Sequence, residues 1–311
     1  MTSPHSAQSY HVNFTLKMLA PVHWPAWLAV AVLAVLAFMP LPVRQWLAYG
    51  LVRPLKWLCR KPIRISRRNL SACYPHLSEK AREQILHRLL HCFACTVVGM
   101  GELALRRREY LAQRIEIQGI EHLDALRHAR KPVVFLVPHM FALEYAAAGL
   151  AMTGLPMIGM VKHHRSPVFN WFACRQRLRF GGTLYHRNMG IGAIVRSLKQ
   201  GNSLFYLPDQ DHGKEQSEFA PFFSCQKATL PVISRIARCS GAEVVPLSVG
   251  FVGNKVQLQL DAPLQMEGMD KLAEAHLLNR QMERLISRHP DQYMWFLKIL
   301  KSRPEGEAAL Y

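Results

Sequence analysis

The sequence predicts an α/β fold: a single domain with a central, largely parallel or mixed sheet flanked by helices, preceded by an N-terminal membrane-anchoring helix. Three observations carry this. Short strand-like segments alternate with helix-like ones from residue 114 to residue 289. The segment "PVVFLVPH" (132–139) is continuously apolar up to its proline, as a strand covered on both faces must be. Near the N-terminus, Trp24 to Val43 is a run of 20 residues without a charge, about the length needed to cross a bilayer.

Taken in order, residues 1–20 read as a tail, 21–45 as the anchor, 46–110 as a basic and helical juxtamembrane region, and 111–311 as the main domain. A long helix is expected over 78–109. Ser78 is its N-cap, and Ala81 stands where a reciprocal Glu would complete a capping box, so the cap is single. "RIEIQGI" (114–120) alternates like a half-buried strand, and "ALEYAAAGLAM" (142–152) reads as a helix. Further strands are expected in 156–162, 203–211 and 243–252, and helices in 166–180, 190–200, 228–240 and 270–289. There is no internal repeat and no low-complexity segment.

Lys and Arg number 39 against 21 acids, a formal charge of +18. Such a balance calls for an anionic partner: nucleic acid, an anionic lipid surface or an acidic protein. The uncharged run favours lipid, and no nucleic-acid motif accompanies the charge. Only Lys17 carries a formal charge before the run. Arg44, Arg53, Lys56, Arg60, Lys61, Arg64, Arg67 and Arg68 follow it, which places the C-terminal side in the cytoplasm. Pro25, Pro40 and Pro42 shorten any uninterrupted helix, so an anchor lying on the surface is the alternative to one that spans. The seven cysteines are odd in number and scattered, which argues against a disulfide framework. Cys92 and Cys95, with His87 and His91 beside them, are either a metal or redox pair or small residues packed along a helix.

The candidate chemistry begins in "VVFLVPHMFALEYAA" (133–147). His139 follows the strand, and Glu144 stands five positions on. On one ideal helix the two side chains would diverge by about 140°. With His139 in the loop and Glu144 in the first helical turn they can converge, at the strand end where α/β sheets place their sites. A histidine general base with a carboxylate on its other nitrogen fits this pair; a loop histidine and a solvated helix glutamate are the plain alternative. No nucleophile motif lies nearby, so the base would activate a hydroxyl of a bound acceptor. Arg187 and Asn188 precede a basic helix, a ready place for phosphate. Asp209 and Asp211 close the next strand, where they either orient Arg187 or the substrate or simply form a turn. In "EFAPFFSCQKATLP" (218–231), Phe219, Phe222 and Phe223 precede Lys227 and either line an apolar channel or pack in the core. "YMWFLKILKSRP" (293–304) mixes aromatics and cations and fits either a membrane interface or a helix packed on the domain.

"VPHMFALE" resembles the HxxxxD/E signature of lysophospholipid-type acyltransferases. The succession GG-x-L-x-x-RN (181–188), "YLPDQDHG" (206–213), "FAPFF…KATLP" and "PDQYMWFLKILKSRPEG" (290–306) is more specific. It resembles the late, secondary acyltransferases of lipid A biosynthesis in Gram-negative bacteria, and within them the myristoyltransferase branch. The resemblance covers almost the whole chain. It implies a glycerol-3-phosphate acyltransferase-like domain at the cytoplasmic face of the inner membrane. That domain would pass an acyl chain from acyl carrier protein to the 3-hydroxyl of a chain on a lipid A precursor, with no cofactor and no metal. By position, His139 resembles the base and Glu144 its carboxylate, although related enzymes often carry Asp there. Arg187, Asn188, Asp209, Asp211 and Lys227 fall on the substrate side. A glycerol-3-phosphate or lysophospholipid acceptor is the alternative within the same chemistry, and a non-enzymatic basic membrane-surface protein is the alternative outside it.

Overall fold

The computed structural model describes residues 9–161, 163–186 and 190–311. The N-terminal third is helical: α1 (Trp24–Phe38), α2 (Leu41–Leu58), α3 (Arg60–Cys73), α4 (Glu79–Leu105) and α5 (Arg108–Arg114). The α/β part then runs β1 (Ile115–Gln118), α6 (Ile120–His128), β2 (Val133–Leu136), α7 (Leu143–Met152), β3 (Met157–Val161), α8 (Pro167–Leu178), β4 (Thr183–His186), α9 (Gly190–Lys199) and β5 (Ser203–Tyr206). It closes with the hairpin β6 (Glu218–Phe222) and β7 (Cys225–Thr229), then α10 (Ile233–Ser240), β8 (Glu243–Val252), β9 (Lys255–Leu260) and α11 (Lys271–Arg288).

Among the described residues seven strands form one sheet in the order β1-β9-β8-β2-β5-β3-β4, and β6–β7 stand apart as an antiparallel pair. Only β8 and β9 pair antiparallel within the large sheet, so the expected largely parallel, mixed sheet is observed. β2 lies at its centre, between β8 and β5, and every residue of β2 is buried. That burial on both faces is why its sequence is continuously apolar.

Ser78 caps α4 as expected, accepting from the Ala81 amide at 3.2 Å. Two expected boundaries move. The long helix stops at Leu105 and α5 begins after a break. The helix expected over 228–240 starts only at Ile233, because 225–229 is the second strand of the hairpin and Pro231 follows it. The strands β4, β6 and β9 and the helix α6 were not among the expected elements, and α2 and α3 were expected only as part of the basic, helical region 46–110.

The anchor is interrupted where its prolines fall. The uncharged run is not one helix: it breaks at Met39–Pro40, where proline cannot continue the ladder. With the 3-10 turn Pro21–His23 before it, α1 makes an 18-residue helical run, Pro21–Phe38, long and apolar enough by length and composition to cross a membrane. One side of α1 packs on α4 through Leu33 and Ala37, and the other leaves Trp24, Leu28, Val32, Val35 and Phe38 exposed. The segment from Tyr293 to Leu300 is core: Tyr293, Trp295, Ile299 and Leu300 are fully buried.

Candidate active site

The site grows from two neighbouring strands that end alike. β2 and β5 are parallel, with Leu136 opposite Tyr206. Both continue through an apolar residue and a proline: "FLVPH" (135–139) in one, "FYLPD" (205–209) in the other. His139 and Asp209 each stand three residues past that register pair, so the backbone itself brings them level. The matching phenylalanines, Phe135 and Phe205, meet edge to face with centroids 5.7 Å apart.

Asp209 is 0% exposed and grips His139 twice. Its Oδ2 accepts from the His139 backbone N–H at 2.8 Å, and its Oδ1 lies 2.6 Å from Nδ1. A carboxylate at Nδ1 assigns the proton to that nitrogen and leaves the Nε2 lone pair as acceptor. The Gln210 amide donates to Nε2 at 3.1 Å. The His139 side chain keeps 19% of its surface accessible.

Burial alone would lower the His139 pKa, but the charge and hydrogen bond of Asp209 outweigh it and the net displacement is upward. Burial would raise Asp209, yet His139 and Lys227 hold it below the usual carboxylate range. The loop after β2 is fixed from the far end of the chain. The Met294 N–H donates to the His139 carbonyl at 2.9 Å, and the Phe141 N–H donates to the Gln292 carbonyl at 3.1 Å. Met140 forms an isolated bridge with Tyr293.

His139 opens on a cleft of about 510 Å³. Its walls are apolar, among them Leu143, Met157, Ile158, Leu184, Ile194 and Ile236, contributed by α7, β3, β4, α9 and α10. Glu144 and Arg177 line the same cleft. Here the sequence expectation needs correction: Glu144 does not orient His139. Nδ1 is already taken by Asp209, and Glu144, in the first turn of α7, pairs with α8. Arg177 Nε donates to both of its carboxylate oxygens at 3.0 Å. The Glu144 charge in turn raises the Arg177 pKa.

Two other expected substrate residues lie elsewhere. Asp211 is a turn and clamp residue: it accepts from the Gly213 N–H at 2.9 Å and from the Ser302 N–H at 2.6 Å. Lys227 is 1% exposed and sits behind Asp209, donating to the Pro208 carbonyl at 3.2 Å and to Thr229 Oγ1 at 3.1 Å. Burial pushes its pKa down to about 8 despite Asp209 and Asp211. Phe222 is core and Phe223 packs on Tyr74 and Trp295, so neither lines the cleft. Cys92 is a buried residue of α4. Arg187 and Asn188 lie outside the described residues. Gln210 and Arg177 were missed: nothing in a short basic helix marks Arg177. The pairing of Asp209 with His139 did have a signal, the repeated F-x-x-P ending of two strands.

A buried Asp–His pair at the mouth of an apolar cleft suits proton abstraction beside a hydrocarbon substrate. Residues 11–302 match the family model described as bacterial lipid A biosynthesis acyltransferase. The chain belongs to this family. It is 36% identical over 314 residues to a lipid A biosynthesis myristoyltransferase of Escherichia coli, covering 100% of this chain and 97% of that one. It is 36% identical over 303 residues to lipid A biosynthesis acyltransferase 2 of Shigella flexneri, with 96% of each chain covered. To a lipid A biosynthesis lauroyltransferase of E. coli it is 28% identical over 307 residues, 96% of this chain and 98% of that one. The protein is therefore an acyltransferase of the late lipid A group.

Proposed function

We propose that this enzyme transfers a fatty acyl chain, myristoyl in the first instance, from acyl carrier protein to the 3-hydroxyl of an acyl chain on a lipid A precursor. The observation that carries this reading is His139 Nε2, made basic by the buried Asp209 on Nδ1, at the opening of an apolar cleft. His139 takes the proton of the acceptor hydroxyl as its oxygen attacks the thioester carbonyl. The tetrahedral oxyanion collapses, the C–S bond breaks, and the imidazolium returns the proton to the departing thiol. Asp209 stabilises the imidazolium and fixes its tautomer, so no covalent acyl-enzyme is needed. Glu144 and Arg177 act as a cleft-wall pair that positions substrate.

The myristoyl assignment is supported by the higher identity to the myristoyltransferase than to the lauroyltransferase. The carrier-protein donor is supported by the charge of +18, which would draw an acidic protein. Membrane association is supported by the exposed apolar sides of α1 and α2, including Trp24, Leu28, Trp46 and Trp57.

The test is transfer in vitro from acyl carrier protein loaded with chains of graded length to a penta-acylated lipid A precursor. Glycerol-3-phosphate and a lysophospholipid serve as rival acceptors. His139→Ala should lower the rate by about 10²- to 10⁴-fold with the fold intact. Wild-type rates in that variant would refute the role of His139, and preference for either rival acceptor would refute the substrate.

A further inference from the structure

Away from the cleft that His139 lines, Arg114 borders two further clefts. One, about 250 Å³, lies between α2 and α4 and includes Arg44; the other, about 510 Å³, lies beneath the α1–α2 bend. Both are lined by Leu41 and Arg114, and the second shares no residue with the cleft at His139.

Cations outnumber acids there. Glu102 is fully buried and accepts from Arg44 at 2.5 Å, Tyr110 at 2.6 Å and Tyr145 at 2.5 Å, with Arg114 Nε 3.6 Å away. Its single charge faces two buried guanidiniums, with Arg106 close by over the Tyr110 ring at 3.7 Å. Arg44, only 2% exposed, Arg106 and Arg114 each hold a buried Nε–H without a hydrogen-bond partner among the described residues. Lys255 joins Arg106 and Arg114 in lining the second cleft, and no acid lines it. Of the three arginines, Arg106 and Arg114 line this second cleft, and two guanidinium groups with unfilled donors beside a lysine suit an anion. The rest of the rim is apolar: Phe38, Met39 and Pro40, at the end of the exposed face of α1, with the Arg106 guanidinium over the Phe38 ring at 5.3 Å. A ligand seated there meets both cations and hydrocarbon.

We propose that the cleft beneath the α1–α2 bend binds the phosphate headgroup of an anionic bilayer lipid, with Arg106, Arg114 and Lys255 toward the phosphate and Phe38, Met39 and Pro40 along its chains. The site is separate from acyl transfer and does not depend on it. It seats the enzyme on anionic lipid at one defined point, where a diffuse positive surface would bind any orientation.

The experiment floats the full-length, detergent-purified protein with phosphatidylcholine vesicles, with and without phosphatidylglycerol. Arg106→Gln/Lys255→Gln should weaken binding to the phosphatidylglycerol vesicles about tenfold or more, and leave binding to phosphatidylcholine alone unchanged. Arg235→Gln/Arg238→Gln removes the same charge from the exposed face of α10 and should cost far less. Thermal melting of both variants checks folding. Native mass spectrometry should find one phosphatidylglycerol retained by the wild type and lost by the first variant. Equal losses in the two double variants would overturn the proposal in favour of diffuse charge. An unaffected first variant would overturn it outright. Displacement of the vesicles by millimolar inorganic phosphate would overturn the lipid assignment and leave a site for free phosphate.

Discussion

At the scale of single residues, the site rests on which carboxylate holds His139. If Asp209 raises its pKa, the ascending limb of kcat/KM lies above the ordinary histidine value near 6.5, because only the neutral imidazole accepts a proton. Asp209→Asn removes the raising influence and leaves burial, so the limb should move below 6.5 while the rate falls. Glu144→Gln should lower the rate without moving the limb, since Glu144 touches Arg177 and not His139. A limb shifted by Glu144→Gln and indifferent to Asp209→Asn would reverse the assignment. The same pair bears on stability, with a definite sign. The raised pKa of His139 means that its contribution is fully present below the unfolded value and is lost as pH rises through the folded one. For Asp209, held low, the contribution is present above its unfolded pKa and lost as pH falls through the folded value. The gap in denaturant midpoint between wild type and Asp209→Asn should therefore be widest at about pH 5 to 6, between the two unfolded values, and narrow as pH rises through the raised His139 value. The sequence made His139 and Asp209 visible separately, each after its strand. Their pairing was signalled only by the repeated F-x-x-P ending of the two strands; it becomes definite once β2 and β5 are neighbours, since 70 residues separate the pair in the chain.

At the scale of elements, α1 is held to α4 by the absence of a side chain. A Cβ on Gly101 would lie 2.2 Å from the Leu33 carbonyl oxygen and 3.1 Å from the Ala37 Cβ. Both obstacles belong to α1, and the nearer is backbone, which cannot rotate away. Gly101→Ala should therefore push the two helices apart at a cost of about 1–3 kcal/mol. The expected readouts are a Tm lower by several degrees and faster proteolysis between α1 and α2, with the His139 limb unmoved. An unchanged melt would show that α1 is only loosely seated. Strong elements were legible because each has its own pattern: the apolar run of β2, the Ser78 cap and long apolar face of α4, the alternation of β1. The hairpin β6–β7 was not, since its stability comes from packing on α11 and from Phe222 in the core. The break after Phe38 was signalled by Pro40, yet composition alone reads across it.

At the scale of the whole molecule, charge and apolar surface divide the labour. Attraction between a protein of +18 and an acidic carrier is screened over about 10 Å at 0.1 M salt. Raising ionic strength should accordingly raise KM for the carrier-linked donor while leaving kcat nearly constant. A salt-independent KM would remove charge from the account of donor binding. Replacing Trp24, Leu28 and Val32 together by serine should release the protein from membranes into the soluble fraction, because their side of α1 faces no protein. The overall class and mixed sheet followed from alternation alone, but the closure of the site did not. His139 and Phe141 are tied to Met294 and Gln292, roughly half a chain later. This has a consequence for synthesis. During translation His139 emerges first and then Asp209, so a nascent chain carries both members of the Asp–His pair well before it carries the backbone that clamps the loop. Until residues 290–300 leave the ribosome, the β2–α7 loop has none of these partners. The loop that carries His139 can thus take its final shape only once the C-terminal region has threaded into the core.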